Sequence, residues 1–85
     1  MSARQTVLLV DDDAHVLAAL KRTLRHESYT SLVAGGPLAA LRILDETPVD
    51  LVVSDEEMPG MRGTDFLATV QGRFPDMIRI ILTGQ

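Results

Sequence analysis

Short apolar runs separated by longer amphipathic segments constrain the fold of this chain most. Largely apolar runs of four to six residues lie near positions 7–10, 49–53 and 77–82. Such runs are typical of strands that are buried on both faces of a parallel sheet, where no face alternates with polar residues. A weaker, more polar run over residues 29–34 ends at a glycine pair and predicts an edge strand.

Helical periodicity fills the segments between these runs. Apolar residues spaced by three and four predict an amphipathic helix over about residues 14–26: Leu17, Leu20 and Leu24. A second helix is predicted from Pro37 to about Glu46, and its apolar positions are Leu38, Leu41 and Leu44. A third helix is predicted from Thr64 or Asp65 to Gly72, with three inward residues: Phe66, Leu67 and Val70.

The resulting order is β-α-β-α-β-α-β within 85 residues. Helical connections of this length allow right-handed crossovers between parallel strands, which indicates an α/β fold with a doubly wound parallel sheet. The sequence holds no internal repeat and no linker-like stretch. We therefore treat residues 1–85 as one folding unit.

Composition narrows the class of protein. A formal net charge of -4 argues against direct nucleic acid binding, because phosphate backbones attract basic surfaces. The chain has no cysteine and therefore no disulfide framework. Its first apolar run is too short for a signal peptide or a membrane span, so we expect a cytoplasmic protein without a membrane partner.

Two of the predicted strands are each followed at once by three acidic residues, Asp11-Asp12-Asp13 and Asp55-Glu56-Glu57. Carboxyl ends of parallel strands open onto one crevice, so these carboxylates should converge there. Mg²⁺ prefers such oxygen ligands and commonly pairs with phosphate groups, and one carboxylate could accept a phosphoryl group. For Asp13 and Glu56 a purely structural role also stays open, because Asp is a common N-cap and acids are frequent in solvated first turns.

The segment after the second acidic triplet adds a specific pattern. Pro59-Gly60 suits a type II turn, in which glycine supplies the positive φ at the third position. Asp55 is followed at fixed spacing by Met58-Pro59-Gly60 and then by Gly63. With the preceding apolar strand and the upstream Asp11-Asp12 pair, the chain resembles the receiver domain of two-component response regulators over nearly all of its length.

The resemblance implies a flavodoxin-like fold and a regulatory phosphoacceptor rather than an enzyme. A sensor histidine kinase would transfer a phosphoryl group to Asp55 with the help of Mg²⁺. By position in the motif, Asp12 and Asp55 would ligate the metal, Asp11 would act largely through water, and Glu57 would offer its backbone carbonyl. Thr83 matches the family's hydroxyl residue that donates to a phosphoryl oxygen, although a β-branched residue at a strand end is also ordinary.

The sequence departs from the family pattern at its carboxyl end. Receivers continue into a further helix, a fifth strand with a lysine that pairs with the phosphoryl group, and a last helix, whereas this sequence stops at Gln85. On that basis we expect an incomplete receiver in which phosphorylation is weakened. We also expect an exposed edge on the fourth strand, rich in isoleucine, and self-association through it.

Two other functions compete with the phosphoacceptor. The first is an interaction or dimerisation module that keeps the fold but is not phosphorylated. The second is a hydrolase of the haloacid dehalogenase type, with Asp11 as nucleophile and Asp13 as acid. That family's pattern has Thr or Val at the position that His15 occupies here, so the hydrolase is disfavoured.

Overall fold

The computed structural model describes residues 4–82, and strands and helices alternate along them as the sequence predicts. The elements are β1 (Gln5–Val10), α1 (Ala14–Leu24), β2 (Tyr29–Ala34), α2 (Pro37–Glu46), β3 (Leu51–Asp55), α3 (Gly63–Arg73) and β4 (Ile78–Leu82). All strand pairs are parallel, in the order β2-β1-β3-β4. The predicted doubly wound α/β fold is confirmed. No helix within the described range is long and apolar enough to cross a bilayer.

The register of the sheet brings the carboxyl ends of the inner strands level with each other. Val10 at the end of β1 pairs with Ala34 of β2 on one side and with Ser54 of β3 on the other. Asp11 and Asp55, the next residue on each inner strand, therefore lie side by side at one edge of the sheet. This alignment follows from pairing alone, before any side-chain contact is considered.

The apolar core has two unequal layers, one on each face of the sheet. The layer under α1 contains Val7, Leu9 and Leu17. The larger layer, under α2 and α3, contains Leu8, Val10, Ala34, Ala40, Leu44, Val52, Met58, Phe66, Leu67 and Val70. β1 is thus buried on both faces, as its continuous apolar run predicts. Full burial of a side chain such as Phe66 stabilises the fold by roughly 1.5–3 kcal/mol.

Three details of the helices differ from the expectation. α1 ends at Leu24: the N–H of Arg25 is shared between the carbonyls of Lys21 and Arg22, and that of Glu27 donates to the carbonyl of Leu24 at 3.0 Å in a tighter turn. In α2, Leu38 is 76% exposed, and the core position is taken by Ala40 instead. α3 begins at Gly63, one residue earlier than predicted. The inward residues predicted for α3 are all buried.

β4 is an edge strand that carries apolar side chains on an open face. Ile78, Ile80 and Leu82 are 62%, 42% and 40% exposed. Within residues 4–82, no strand pairs with the outer edge of β4. The opposite edge, β2, is more polar in sequence and exposes chiefly Tyr29 and Val33.

Candidate metal centre

The end of β1 fixes the first acidic triplet through backbone contacts. Asp11 is buried, and its N–H donates to the carbonyl of Ala34 at 3.2 Å, which extends the β1-β2 ladder by one residue. Its Oδ1 accepts the N–H of Asp13 at 2.9 Å. A local turn therefore holds the Asp11 carboxylate in place, while the neighbouring Asp12 is exposed.

Asp13 is the N-cap of α1. Its backbone is extended, and its Oδ1 accepts the N–H of His15 at 2.9 Å and that of Val16 at 3.4 Å. These bonds satisfy two of the amide donors that the start of a helix leaves without intrahelical partners. The structural role that the sequence left open for Asp13 is the observed one.

Three carboxylates converge at the carboxyl edge of the sheet. One oxygen from each of Asp11, Asp12 and Asp55 lies within 4.8 Å of the other two. Mg–O bonds are about 2.0–2.1 Å, so two oxygens on opposite sides of one ion are about 4 Å apart. Separations of up to 4.8 Å are slightly wider than this, so the three carboxylates would have to draw together around one ion, while their all-oxygen donor set is the kind that Mg²⁺ prefers.

The electrostatics of the cluster also favour a bound cation. Burial raises the pKa of the Asp11 carboxyl above its usual range, the Asp13 N–H partly offsets this, and repulsion from Asp55, Asp12 and Asp13 raises it further. Negative charge at Asp11 is thus unfavourable without a positive partner. Arg79 and Lys21, cations outside the cluster, make no ion pair with its carboxylates within 4.0 Å in the described part of the chain.

Glu56 points to a different set of partners. Its Oε1 accepts the N–H of Thr64 at 2.8 Å and the hydroxyl of Thr64 at 2.7 Å. Its Oε2 lies 3.2 Å from Nε of Arg62. The Thr64 hydroxyl, the Thr64 N–H and the charge of Arg62 hold the pKa of Glu56 below its usual range. Two acids of the second triplet therefore have different roles: Asp55 belongs to the carboxylate cluster, and Glu56 binds the first turn of α3.

Sequence reasoning missed this role of Glu56 because a cap supplied from eight residues away has no fixed spacing. Because the sequence predicts that α3 starts at Thr64 or Asp65, it gives no signal that an acceptor from outside the helix is needed. Arg62 occupies the N-cap position of α3, and its side chain has no acceptor for the free N–H groups of the first turn. A helix that begins after such a residue needs an acceptor from elsewhere in the fold.

Two glycines shape the loop that joins β3 to α3. Gly60 has φ +86°, which matches the third position of the predicted type II turn after Pro59. Gly63 is needed for a different reason. A Cβ added there would lie 2.2 Å from the backbone oxygen of Asp55, so only glycine lets α3 begin this close to β3.

Glu57 and Thr83 are the other two predicted site residues. Glu57 is exposed, and its predicted contribution is a backbone carbonyl rather than a side chain. Thr83 lies outside the described residues, so its role stays a prediction. Within the described range, the structure brings together three of the four predicted metal-site residues: Asp11, Asp12 and Asp55.

The family model for the response regulator receiver domain matches residues 7–85. The chain belongs to this family. It is 39% identical over 85 residues to the hydrogenase transcriptional regulatory protein HoxA of Cupriavidus necator, covering 99% of this chain and 17% of HoxA. It is 42% identical over 78 residues to the transcriptional regulatory protein GlrR of Escherichia coli, covering 92% of this chain and 18% of GlrR.

Solved receiver structures agree with this assignment. The signal receiver domain of an HD domain-containing protein from Pseudomonas fluorescens superimposes with a TM-score of 0.94 at 36% identity, over 98% of this chain and 66% of that one. The response regulator TrrA from Thermotoga maritima, in complex with Mg²⁺-BeF, gives a TM-score of 0.91 at 31% identity, over 95% of this chain and 70% of that one. The chain spans less than a fifth of the length of HoxA and of GlrR.

Proposed function

We propose that this receiver accepts a phosphoryl group on Asp55 from a sensor histidine kinase or a small phosphodonor. The observation that supports this most directly is the convergence of Asp55 with Asp11 and Asp12 at the carboxyl edge of the sheet. In the transfer, a carboxylate oxygen of Asp55 bonds to phosphorus. The bond from phosphorus to the donor breaks, and the leaving group of the donor keeps the electron pair and takes up a proton.

Each residue of the site has a distinct role in this proposal. Asp12 and Asp55 ligate Mg²⁺ directly, Asp11 acts through a water molecule, and Glu57 contributes its backbone carbonyl. Thr83 donates its hydroxyl to a phosphoryl oxygen. Bound Mg²⁺ supplies positive charge that offsets the charge on the phosphoryl oxygens. The Mg²⁺-BeF complex of TrrA, a protein of the same fold, supports the choice of metal and of phosphoryl chemistry.

The kinase partner and a cytoplasmic location belong to the same proposal, with residues 1–85 acting as one receiver unit. The chain's matches to regulatory receivers such as those of HoxA and GlrR support a signalling role rather than an enzymatic one. Mg²⁺-dependent self-phosphorylation from small donors is the only reaction that the proposal assigns to the chain itself.

Incubation with Mg²⁺ and acetyl phosphate tests the transfer. Intact-mass measurement should find the addition of one phosphoryl group, which Asp55→Asn abolishes and EDTA prevents. Asp76→Asn removes an exposed acid that is not part of the carboxylate cluster, and it should leave the addition unchanged. Wild-type chain that gains no mass would contradict the proposal and favour an interaction module that is not phosphorylated.

We also propose self-association through β4. The supporting observation is the open face of this edge strand, on which three large apolar residues are each at least 40% exposed: Ile78, Ile80 and Leu82. Exposed apolar edges tend to pair with another chain. Sedimentation velocity across the micromolar range tests this, since the mean mass should rise with concentration. A stable monomer throughout that range would refute it.

A further inference from the structure

Glu56 ties the two ends of the β3-α3 loop (residues 57–62) together. Its carboxylate accepts both the N–H and the hydroxyl of Thr64, at 2.8 and 2.7 Å. Its backbone carbonyl accepts the N–H of Gly63 at 2.9 Å. One residue at the end of β3 therefore binds the first turn of α3 with main chain and side chain at once.

The ionic contact with Arg62 adds to this closure. Nε of Arg62 lies 3.2 Å from Oε2 of Glu56, and the Arg62 side chain is 68% exposed against 16% for that of Glu56. A carboxylate at a helix N-terminus also interacts favourably with the helix dipole. Hydrogen bonds to a charged acceptor are stronger than neutral ones, and the closure is therefore firmer than an ordinary Thr cap.

The loop that Glu56 closes lies against the proposed phosphoacceptor. Gly63 is buried, and a Cβ at this position would meet the carbonyl of Asp55 at 2.2 Å and the Cα of Glu56 at 3.0 Å. The start of α3 thus rests directly on the backbone of Asp55. Glu57, whose carbonyl is the fourth proposed metal ligand, is the first residue inside the closed loop.

We propose that Glu56 is a positioning residue, which holds the start of α3 through Thr64 and Arg62 and thereby orients the Glu57 carbonyl toward the metal. This inference rests on the proposed metal site. Ordering a loop costs conformational entropy, so a loop already ordered by Glu56 binds a ligand more tightly. Groups that orient metal ligands commonly change metal affinity by about 10–100-fold when they are removed.

Substitutions at Thr64 separate positioning from charge. Thr64→Val removes the hydroxyl donor but keeps β-branching and every charge, and we expect it to weaken Mg²⁺ affinity by about threefold to tenfold, measured by isothermal titration calorimetry. Thr64→Ser restores the hydroxyl and should bind nearly as well as wild type. The matched control is Thr69→Val on the same helix, whose hydroxyl contacts only the carbonyl of Asp65, at 3.3 Å.

Glu56→Gln removes the charge of this residue and tests whether that charge alone affects Mg²⁺ binding. An effect of Glu56 through its charge alone predicts that Glu56→Gln weakens Mg²⁺ binding while Thr64→Val does not. Positioning predicts that both weaken it, and that the amide hydrogens of residues 57–64 exchange faster in Thr64→Val without metal. A urea unfolding curve for each variant ensures that affinities are compared between folded chains.

The possible results are distinct. Wild-type chain that binds no Mg²⁺ would overturn the metal site itself, and this inference with it. Wild-type chain that binds Mg²⁺, with Thr64→Val no weaker than Thr69→Val, would overturn the positioning role alone. Weakened binding in Thr64→Val, rescued in Thr64→Ser and absent from Thr69→Val, is the expected pattern.

Discussion

The pKa of the Asp11 carboxyl is set by its burial and by the charges around it. Burial and three neighbouring carboxylates raise its pKa in the folded chain. The folded state therefore holds this proton more tightly than the unfolded state does. It follows that the contribution of Asp11 to the free energy of unfolding falls as pH rises from below the unfolded pKa through the folded one. At neutral pH and without metal, the Asp11 charge destabilises the fold.

We therefore predict that Asp11→Asn stabilises the metal-free chain at neutral pH. The amide can still accept the N–H of Asp13 but removes a like charge from the cluster, and we expect a gain of about 0.5–1 kcal/mol in urea unfolding with EDTA present. Saturating Mg²⁺ should reverse the order, because the intact site binds the metal better in the folded state. Glu27→Gln, at an exposed acid, serves as control. A loss of stability in EDTA would count against this account.

The carboxylate of Asp13 caps α1, whereas those of Asp11 and Asp12 belong to the carboxylate cluster. Asp13→Ala leaves the N–H groups of His15 and Val16 without their acceptor, so we predict a loss of about 1 kcal/mol in the free energy of unfolding. The adjacent Asp12→Ala removes charge from the cluster and no cap, and should cost nothing in EDTA. Equal destabilisation by the two substitutions would contradict the division of roles.

The sequence predicts the inward face of α3 but not its start or the residue that caps it. The apolar spacing identifies the helix and its inward residues, since Phe66, Leu67 and Val70 are all buried. Its start was misplaced because glycine has low helix propensity, whereas Gly63 is required by the approach to Asp55. Likewise, the sequence marks Glu56 as acidic but holds no signal for its bond to Thr64.

Gly63 and Gly72 both lie in α3 but differ in the space around them. Gly63→Ala would force a methyl group into the Asp55 carbonyl, and we predict a loss of about 1–3 kcal/mol in the free energy of unfolding. Gly72→Ala meets nothing within 4 Å and replaces a weak helix former near the end of the same helix, so it should stabilise by up to about 1 kcal/mol. Thermal unfolding of both variants measures the contrast. Similar effects at both sites would mean that the contact with Asp55 is not limiting.

The sequence predicts which residues meet at the carboxyl edge of the sheet. It predicts only in part which side chains are exposed on the outer strands β2 and β4. Apolar runs followed by acidic triplets predict parallel strands that bring Asp11 and Asp55 together. The observed register, in which Val10 pairs with Ser54, places them side by side. Which side chains of β4 stand open depends on what covers each face, and a continuous apolar run carries no such information. The exposures of Ile78 and Ile80 required the folded sheet.

One exposed apolar residue on each outer strand of the sheet forms a matched pair. Ile80 on β4 and Val33 on β2 are exposed to similar degrees, 42% and 39%, so a lysine at either position reaches solvent without disturbing the core. If chains associate through β4, Ile80→Lys places a charge in the interface and loses the burial of an isoleucine. That burial is worth roughly 1.5–3 kcal/mol, and association should weaken by about tenfold or more in sedimentation velocity. Val33→Lys should associate as wild type does. Equal weakening by both variants would indicate non-specific aggregation, and weakening by Val33→Lys alone would move the interface to β2.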